Sequence, residues 1–152
     1  MIKDTITAHS PGDVICDVGN GFTDVIYAGE FKRRVAVNLQ PMPEREGVET
    51  IIDDWMNVHI DADVIVCSQV IEHFVNPLPF VRRLFSSGKI VIISVPYMWP
   101  KGMEPSHRQD PITRKKLNRL IGKEPKRAQI VQDGRARRLV AVYDGTRLHL
   151  NS

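Results

Sequence analysis

Asp17, Gly19 and Gly21 alternate at the end of the stretch Val14-Ile15-Cys16-Asp17-Val18-Gly19-Asn20-Gly21. A mostly apolar run ending in an acid and two glycines reads as a buried parallel strand that closes in a tight turn. Glycine tolerates positive φ and keeps no side chain between a ligand and the backbone. The residues that follow, Phe22 to Ala28, read as a first helix, so a ligand held at the turn would meet unpaired N–H groups at a helix N-terminus. A dinucleotide fingerprint needs a third glycine at position 24, where Asp24 stands, and that reading fails. The same residues also fit an ordinary strand–turn–helix corner.

Further polar residues stand where other apolar runs end: Asn38, Asp53 and Asp54 with Trp55 beside them, Ser68 with Gln69, and Tyr97. Glu72-His73 follows directly after Ser68-Gln69, so His73 lines a cleft at that strand end or simply packs at a helix start. The segment from Tyr97 to Gln109 holds Trp99, His107 and Arg108. An imidazole with an ordinary pKa near 6.5 suits proton removal at neutral pH, which makes His107 a candidate base. With Arg108 it could equally hold a phosphate or hydroxyl, or it could be an exposed loop histidine. Tyr97 and Trp99 would supply an apolar wall. The five histidines show no metal-ligand spacing with Cys16 and Cys67, so no metal site is expected.

The elements that must position these residues alternate. Strands are expected at 14–18, 33–39, 48–52, 63–68 and 89–96. Residues 1–12 read as a lead-in, and the connector 41–46 is too proline-rich for a full helix. Asn76-Pro77 caps a helix whose buried face carries Val81, Leu84 and Phe85. Asp110-Pro111 starts a last helix that Gly122 stops. Runs at 127–131 and 137–143 flank Asp133-Gly134, a hairpin signal. The pattern is an α/β fold: a Rossmann-like three-layer sandwich of about seven strands, mostly parallel, with an antiparallel C-terminal hairpin. Ligands of such sheets bind beyond the C-terminal strand ends, where these polar residues fall.

The 152 residues suffice for a single domain, with its core at about 11–145. No apolar run reaches membrane-spanning length and no signal peptide opens the chain, so a cytoplasmic protein without membrane contact is expected. Cys16 and Cys67 read as small buried hydrophobes in a reducing compartment. Residues 1–100 carry 8 Lys/Arg against 13 Asp/Glu, and residues 101–152 carry 13 against 5. The basic third could face an anionic ligand or nucleic acid, or be a solvated helix face and hairpin.

Asp17-x-Gly-x-Gly resembles motif I of the class I S-adenosylmethionine-dependent methyltransferases. The stretch from Asp63 to Phe85 is similar to motif IV and the helix after it, and Gly88 to Tyr97 to the family's fifth strand. The resemblance, to a small, type 11-like methyltransferase domain, covers most of Val14 to Val95. It implies a sheet order of 3-2-1-4-5-7-6 and S-adenosyl-L-methionine as cofactor. Asp17, Gly19 and Gly21 would hold the methionine moiety, Asn38 the ribose, and Asp53 or Asp54 the adenine amino group. Trp55 would stack on the ring, while Ser68 and Gln69 close the methionine end. The chain departs from the family at Asn38, where an acid is usual, at Thr23, where many members have a third glycine, and in the short segment between strands two and three.

The implied activity is methyl transfer to an oxygen or nitrogen of a small molecule, sugar-containing or a natural-product intermediate, in a possible homodimer. A weak or inactive binding subunit is the alternative that the departures suggest. A nucleic-acid methyltransferase is a second alternative. Ser68-Gln69-Val70-Ile71 stands where base-amino methyltransferases carry Asn-Pro-Pro-Tyr, which makes a nucleic-acid partner unlikely.

Overall fold

β-Branched residues fill three adjacent strands, β1 (Gly12–Val18), β4 (Ala62–Ser68) and β5 (Gly88–Pro96). Strands buried on both faces need such runs, and helices must then cover each face. In the computed structural model, which describes residues 1–19 and 23–146, they form the centre of a seven-stranded sheet. The remaining strands are β2 (Phe31–Asn38), β3 (Glu49–Ile52), β6 (Arg127–Asp133) and β7 (Ala136–Asp144). The order is β3-β2-β1-β4-β5-β7-β6. Only β7 runs against the other six, pairing antiparallel with β5 and β6. This is the expected Rossmann-like arrangement.

Alternation along the strands divides the core into two layers. Cys16, Ile65, Cys67, Val91 and Ile93 face α2 (Leu78–Ser87) and α3 (Arg114–Ile121), with Leu84, Leu117 and Ile121 among their neighbours. Ile15, Val64, Val66, Ile90 and Ile92 face Ile6 and Ile26 on the other side. The second layer differs from the sequence reading. The supposed lead-in contains a helix, α1 (Ile2–Ala8), and Ile6 is fully buried on it. The helix expected after motif I is a single 3₁₀ turn, Asp24–Tyr27. The chain must re-enter the sheet at Phe31, and Ala28 is already extended with Gly29 at φ +65. The N-terminal helix covers surface that a longer helix here would have covered.

Two further boundaries shift. Asp110-Pro111 does not start α3; Thr113 caps it, its hydroxyl accepting from the Lys116 amide at 3.1 Å. Asp110 is engaged instead by His107, as described below. Gly88 opens β5 directly, with no loop after α2. Gly122 does end α3, at φ +81. Residues 39–48 contain no helix, in keeping with their prolines.

Arg34 holds the 3₁₀ turn in place. Its guanidinium donates to the carbonyls of Ile26 at 2.7 Å, Ala28 at 3.1 Å and Gly29 at 2.7 Å. The turn continues from the motif I loop, so Arg34 also fixes where that loop ends. Hydrogen bonds from a charged donor contribute about 1.5–3 kcal/mol. Arg34→Met should therefore destabilise the protein by about 2–3 kcal/mol in urea unfolding; a loss below about 0.5 kcal/mol would mean that the turn holds without it.

Candidate functional site

The C-terminal ends of β1 to β4 open onto a cavity of about 460 Å³. The strand order reverses beside β1, so this is the topological switch point at which α/β sheets bind ligands. Gly19 after β1, Asn38 and Leu39 at the end of β2, and Asp53, Asp54 and Trp55 after β3 line it. Gln69, Val70, His73 and Phe74 follow β4 onto its wall, and Phe80 reaches it from α2. Six of the residues nominated for the cofactor are thus brought together: Gly19, Asn38, Asp53, Asp54, Trp55 and Gln69. Gly21 lies outside the described residues.

Asp17, the last residue but one of β1, is 2% exposed. One carboxylate oxygen accepts from the Thr23 hydroxyl at 3.2 Å; the other is buried without a hydrogen-bond partner among the described residues. Burial pushes its pKa up to about 7, against the pull of Thr23 and of the Arg45 charge. Arg45 comes from the β2–β3 connector and donates to the Thr23 carbonyl at 3.0 Å. Gly19 follows at φ +104, and its N–H donates to Val37 O at 2.8 Å. A Cβ there would lie 2.2 Å from Val70 Cγ2. The fold itself therefore requires glycine at this position, whatever a ligand also requires.

Asn38 is half-buried, and its Oδ1 accepts from the Leu39 amide at 3.0 Å. Asp53 and Asp54 are exposed. Asp53 Oδ1 accepts from the Asp54 amide at 2.7 Å and from Asn57 Nδ2 at 3.1 Å, while Asp54 caps the short turn Trp55–Asn57 through the Met56 amide at 2.9 Å. Trp55 is 3% exposed and its indole N–H has no partner among the described residues. Arg83 of α2 ties this turn down, donating to Trp55 O at 3.0 Å and to Val58 O. Gln69 takes a left-handed φ of +58, uncommon for a residue with a side chain. Its main-chain N–H donates to Ser94 O at 2.8 Å and its amide to Ser94 Oγ at 2.9 Å. Ser68 is buried beside Ser94 in the β4–β5 register and is not on the cavity wall.

Tyr97, Trp99, His107 and Arg108 also lie off the wall. The Arg137 guanidinium stands 5.2 Å over the Tyr97 ring, and the Trp99 indole N–H donates to Arg137 O at 3.3 Å. Arg108 is exposed, and its main-chain N–H donates to Glu72 O at 2.7 Å. Gln109 adds side-chain bonds to Phe74 O at 2.7 Å and Val75 O at 3.0 Å. The loop after β5 is thereby clamped onto the exit of β4.

That clamp assembles a second group of residues behind the wall. The His107 side chain is 8% exposed, not an open loop histidine, and its Nδ1 lies 2.7 Å from Asp110 Oδ2. Its Nε2 is 4.0 Å from Glu72 Oε1, and His73 Nε2 is 3.9 Å from the same oxygen. Glu72 is fully buried, and neither carboxylate oxygen has a hydrogen-bond partner among the described residues. Burial pushes its pKa up to about 7; its own main-chain amide, His107 and Arg138 pull downward and Asp110 adds to the rise. Sequence reasoning named the histidines but not Glu72 or Asp110 as site residues. The His107-x-x-Asp110 spacing was a local signal that could have paired those two. Leu39, Phe74 and Phe80 carried no signal, being apolar residues among many.

No protein-family model matches the chain, and no curated protein matches it. Solved structures do. A Burkholderia thailandensis 1,6-didemethyltoxoflavin-N1-methyltransferase, with 1,6-didemethyltoxoflavin and S-adenosylhomocysteine bound, is 19% identical with a TM-score of 0.75. The match covers 95% of this chain and 76% of that one. A chain of the Haloferax volcanii complex between the Trm112 methyltransferase activator and a methyltransferase is 11% identical with a TM-score of 0.71, covering 98% and 90%. The Synechocystis magnesium protoporphyrin IX methyltransferase, with S-adenosylhomocysteine bound, is 15% identical with a TM-score of 0.62, covering 93% and 82%. At these identities the likeness is one of fold: the chain has the S-adenosylmethionine-dependent methyltransferase fold.

The buried Asp17 makes stability depend on pH. Its folded pKa, about 7, lies above its unfolded value near 3.9. Its contribution is therefore whole below about pH 4 and is lost as pH rises through about 7. Asp17→Asn should remove this share of the decline, on the order of 4 kcal/mol at most by linkage. Urea unfolding of both proteins from pH 4 to 8 measures it; parallel curves would show that Asp17 does not titrate in this range.

Proposed function

We propose that the cavity binds S-adenosyl-L-methionine and that the protein transfers its methyl group to an oxygen or nitrogen of a small molecule. The observation that carries this reading is the convergence around one cavity of Gly19, Asn38, Asp53, Asp54, Trp55 and Gln69, residues that the family resemblance names for cofactor contacts. The cavity's volume lies within the range usual for small-molecule sites. The structural neighbours bound to S-adenosylhomocysteine support the same cofactor.

The residues present fit that cofactor. The buried oxygen of Asp17, without a hydrogen-bond partner among the described residues, is what an ammonium group would satisfy. Asp17 and the Gly19 turn, with Gly21, would take the methionine end, closed by Ser68 and Gln69. Asn38 would face the ribose, Asp53 or Asp54 the adenine amino group, and Trp55 the ring face. When bound, the cofactor supplies an activated methyl group on a sulfonium. The protein's part is to align that group with the acceptor and exclude water, with Phe74 and Phe80, rings 4.8 Å apart, forming an apolar wall. His73 would meet the acceptor from the wall, with His107 acting behind it. Tyr97, Trp99 and Arg108 are acceptor-side residues in this reading. A sugar-containing or natural-product acceptor remains part of it, as does a cytoplasmic setting, in keeping with two free, buried cysteines. Among the described residues no helix is long and apolar enough to cross a membrane.

Asn38 also favours the second reading, a fold that binds the cofactor weakly or without turnover. Its Oδ1 is already taken by the Leu39 amide, so it offers a ribose no charge and less acceptor capacity. Calorimetry with S-adenosylmethionine and S-adenosylhomocysteine tests the proposal. Binding of both is expected, and binding of neither would refute it. Asn38→Asp can keep the Leu39 bond on one oxygen and present the other, so it should tighten binding by about 1–2 kcal/mol. Weaker binding in a folded variant would mean that Asn38 donates to the ligand instead. Because an ammonium would hold Asp17 ionised, cofactor binding near pH 6 should release a proton, and affinity should rise with pH up to about 7. Calorimetry in buffers of different ionisation enthalpy measures the release, which Asp17→Asn should abolish.

A further inference from the structure

We propose that Glu72, His73 and His107 form a binding site for a divalent first-row transition-metal ion, with Asp110 and the Ser106 carbonyl as its supporting partners. Three observations lead there independently of any methyl-transfer chemistry.

The first is convergence. One ligand atom from each of the three side chains lies within 4.8 Å of the other two. Both histidine Nε2 atoms approach one carboxylate oxygen of Glu72, at 3.9 and 4.0 Å. These distances are too long for hydrogen bonds. An ion with ligand distances of about 2.0–2.2 Å would draw the three atoms together by roughly 0.5–1.5 Å. The His73 side chain, 42% exposed, has room to make that adjustment.

The second is the state of the imidazoles. His107 Nδ1 lies 2.7 Å from Asp110 Oδ2, and His73 Nδ1 lies 3.2 Å from the Ser106 carbonyl. A carbonyl only accepts, and a carboxylate accepts when ionised, so each Nδ1 carries the proton and donates. In its neutral form each ring then carries its lone pair on Nε2, the nitrogen nearer Glu72. Metal-binding histidines are oriented in this way, the second nitrogen donating to a carboxylate or main-chain carbonyl.

The third is what is missing at the centre. Glu72 is fully buried and both its carboxylate oxygens lack a hydrogen-bond partner among the described residues. Two imidazole Nε2 atoms facing this carboxylate frame a position that a cation would fill. Other charges bear on the cluster: Arg138 acts on Glu72 from the β7 side, and Glu104 lies close enough to feel both imidazoles. These oppose one another in sign.

Two imidazoles and one carboxylate suit Zn²⁺, Co²⁺, Mn²⁺ or Fe²⁺ better than Mg²⁺ or Ca²⁺, which prefer oxygen ligands. Three protein ligands leave coordination positions open. His73 also lines the large cavity, so an oxygen-bearing ligand there could displace a metal-bound water. That last consequence rests on the methyl-transfer reading; the ion site does not.

The test uses the full chain, without a histidine tag, stripped of metal with a chelator and titrated with Co²⁺ alone in the absence of cofactor. One equivalent should bind with visible d–d bands, and Zn²⁺ should displace it. Mg²⁺ at the same concentration should not compete. Asp110→Asn should weaken binding about 10–100-fold, the usual effect of removing a supporting partner. His73→Gln, at an exposed ring, should abolish the bands in a protein that stays folded by circular dichroism. It keeps the test decisive if Glu72→Gln or His107→Gln fails to fold. Absence of saturable Co²⁺ or Zn²⁺ binding would overturn the proposal. So would binding that survives His73→Gln unchanged. S-adenosylhomocysteine affinity of the metal-free protein is measured separately, so failure of the ion site leaves the cofactor reading standing, and the reverse.

Discussion

The parallel register of β1, β2, β3 and β4 is the constraint on which the site depends. Val18 pairs with Val37, and Asn38 with Ile52. Ser68 pairs with Ser94 across the β4–β5 boundary. Because the strands run the same way in near-matched register, their polar exits arrive at one rim, while the apolar residues before them stay in the sheet. A slip of one residue in β2 would turn Asn38 to the other face and carry Val35 and Val37 out of their core layer. The core and the cavity therefore enforce each other.

Burying acids at this rim works against stability. Asp17 and Glu72 are almost inaccessible, each keeps at least one oxygen unpaired among the described residues, and burial raises the pKa of both. Buried polar groups are ordinarily hydrogen-bonded, since leaving one unmade costs about 1–3 kcal/mol. One such group near the end of β1 and another just beyond the adjacent β4 are hard to explain as packing. A ligand that brings positive charge would reverse the penalty at each: an ammonium at Asp17, a metal ion at Glu72.

The loop after β5 decides which chemistry reaches Glu72. Its grip combines one main-chain bond, Arg108 N–H to Glu72 O, with side-chain bonds from Gln109 to the carbonyls of Phe74 and Val75. That attachment brings His107 over Glu72 while leaving Arg108's side chain in solvent. Tyr97 and Trp99 turn instead to Arg137, where the β5–β7 pairing continues through the Tyr97 N–H bond to Arg137 O.

Much of the architecture was legible in the sequence alone. Apolar runs of strand length, their separation by helix-length segments, and the Asp133-Gly134 hairpin determine the sheet and its antiparallel edge, because burial on two faces leaves few alternatives. Polar residues at the run ends, Asn38, Asp53, Asp54 and Gln69, were legible for the same reason: in a parallel sheet the C-terminal ends share one side. Local propensity was less informative at the N-terminus. Ile2–Ala8 is helical because Ile6 finds a hydrophobic layer left open by the short 3₁₀ turn, and no sequence window contains that fact. The Glu72–His73–His107 group lay beyond sequence reasoning for a related reason. His107 is remote from Glu72 along the chain, and only the clamp between two loops brings their atoms within 4.0 Å. Spacing rules detect ligands that share one helix or turn, whereas this cluster is made by tertiary contact.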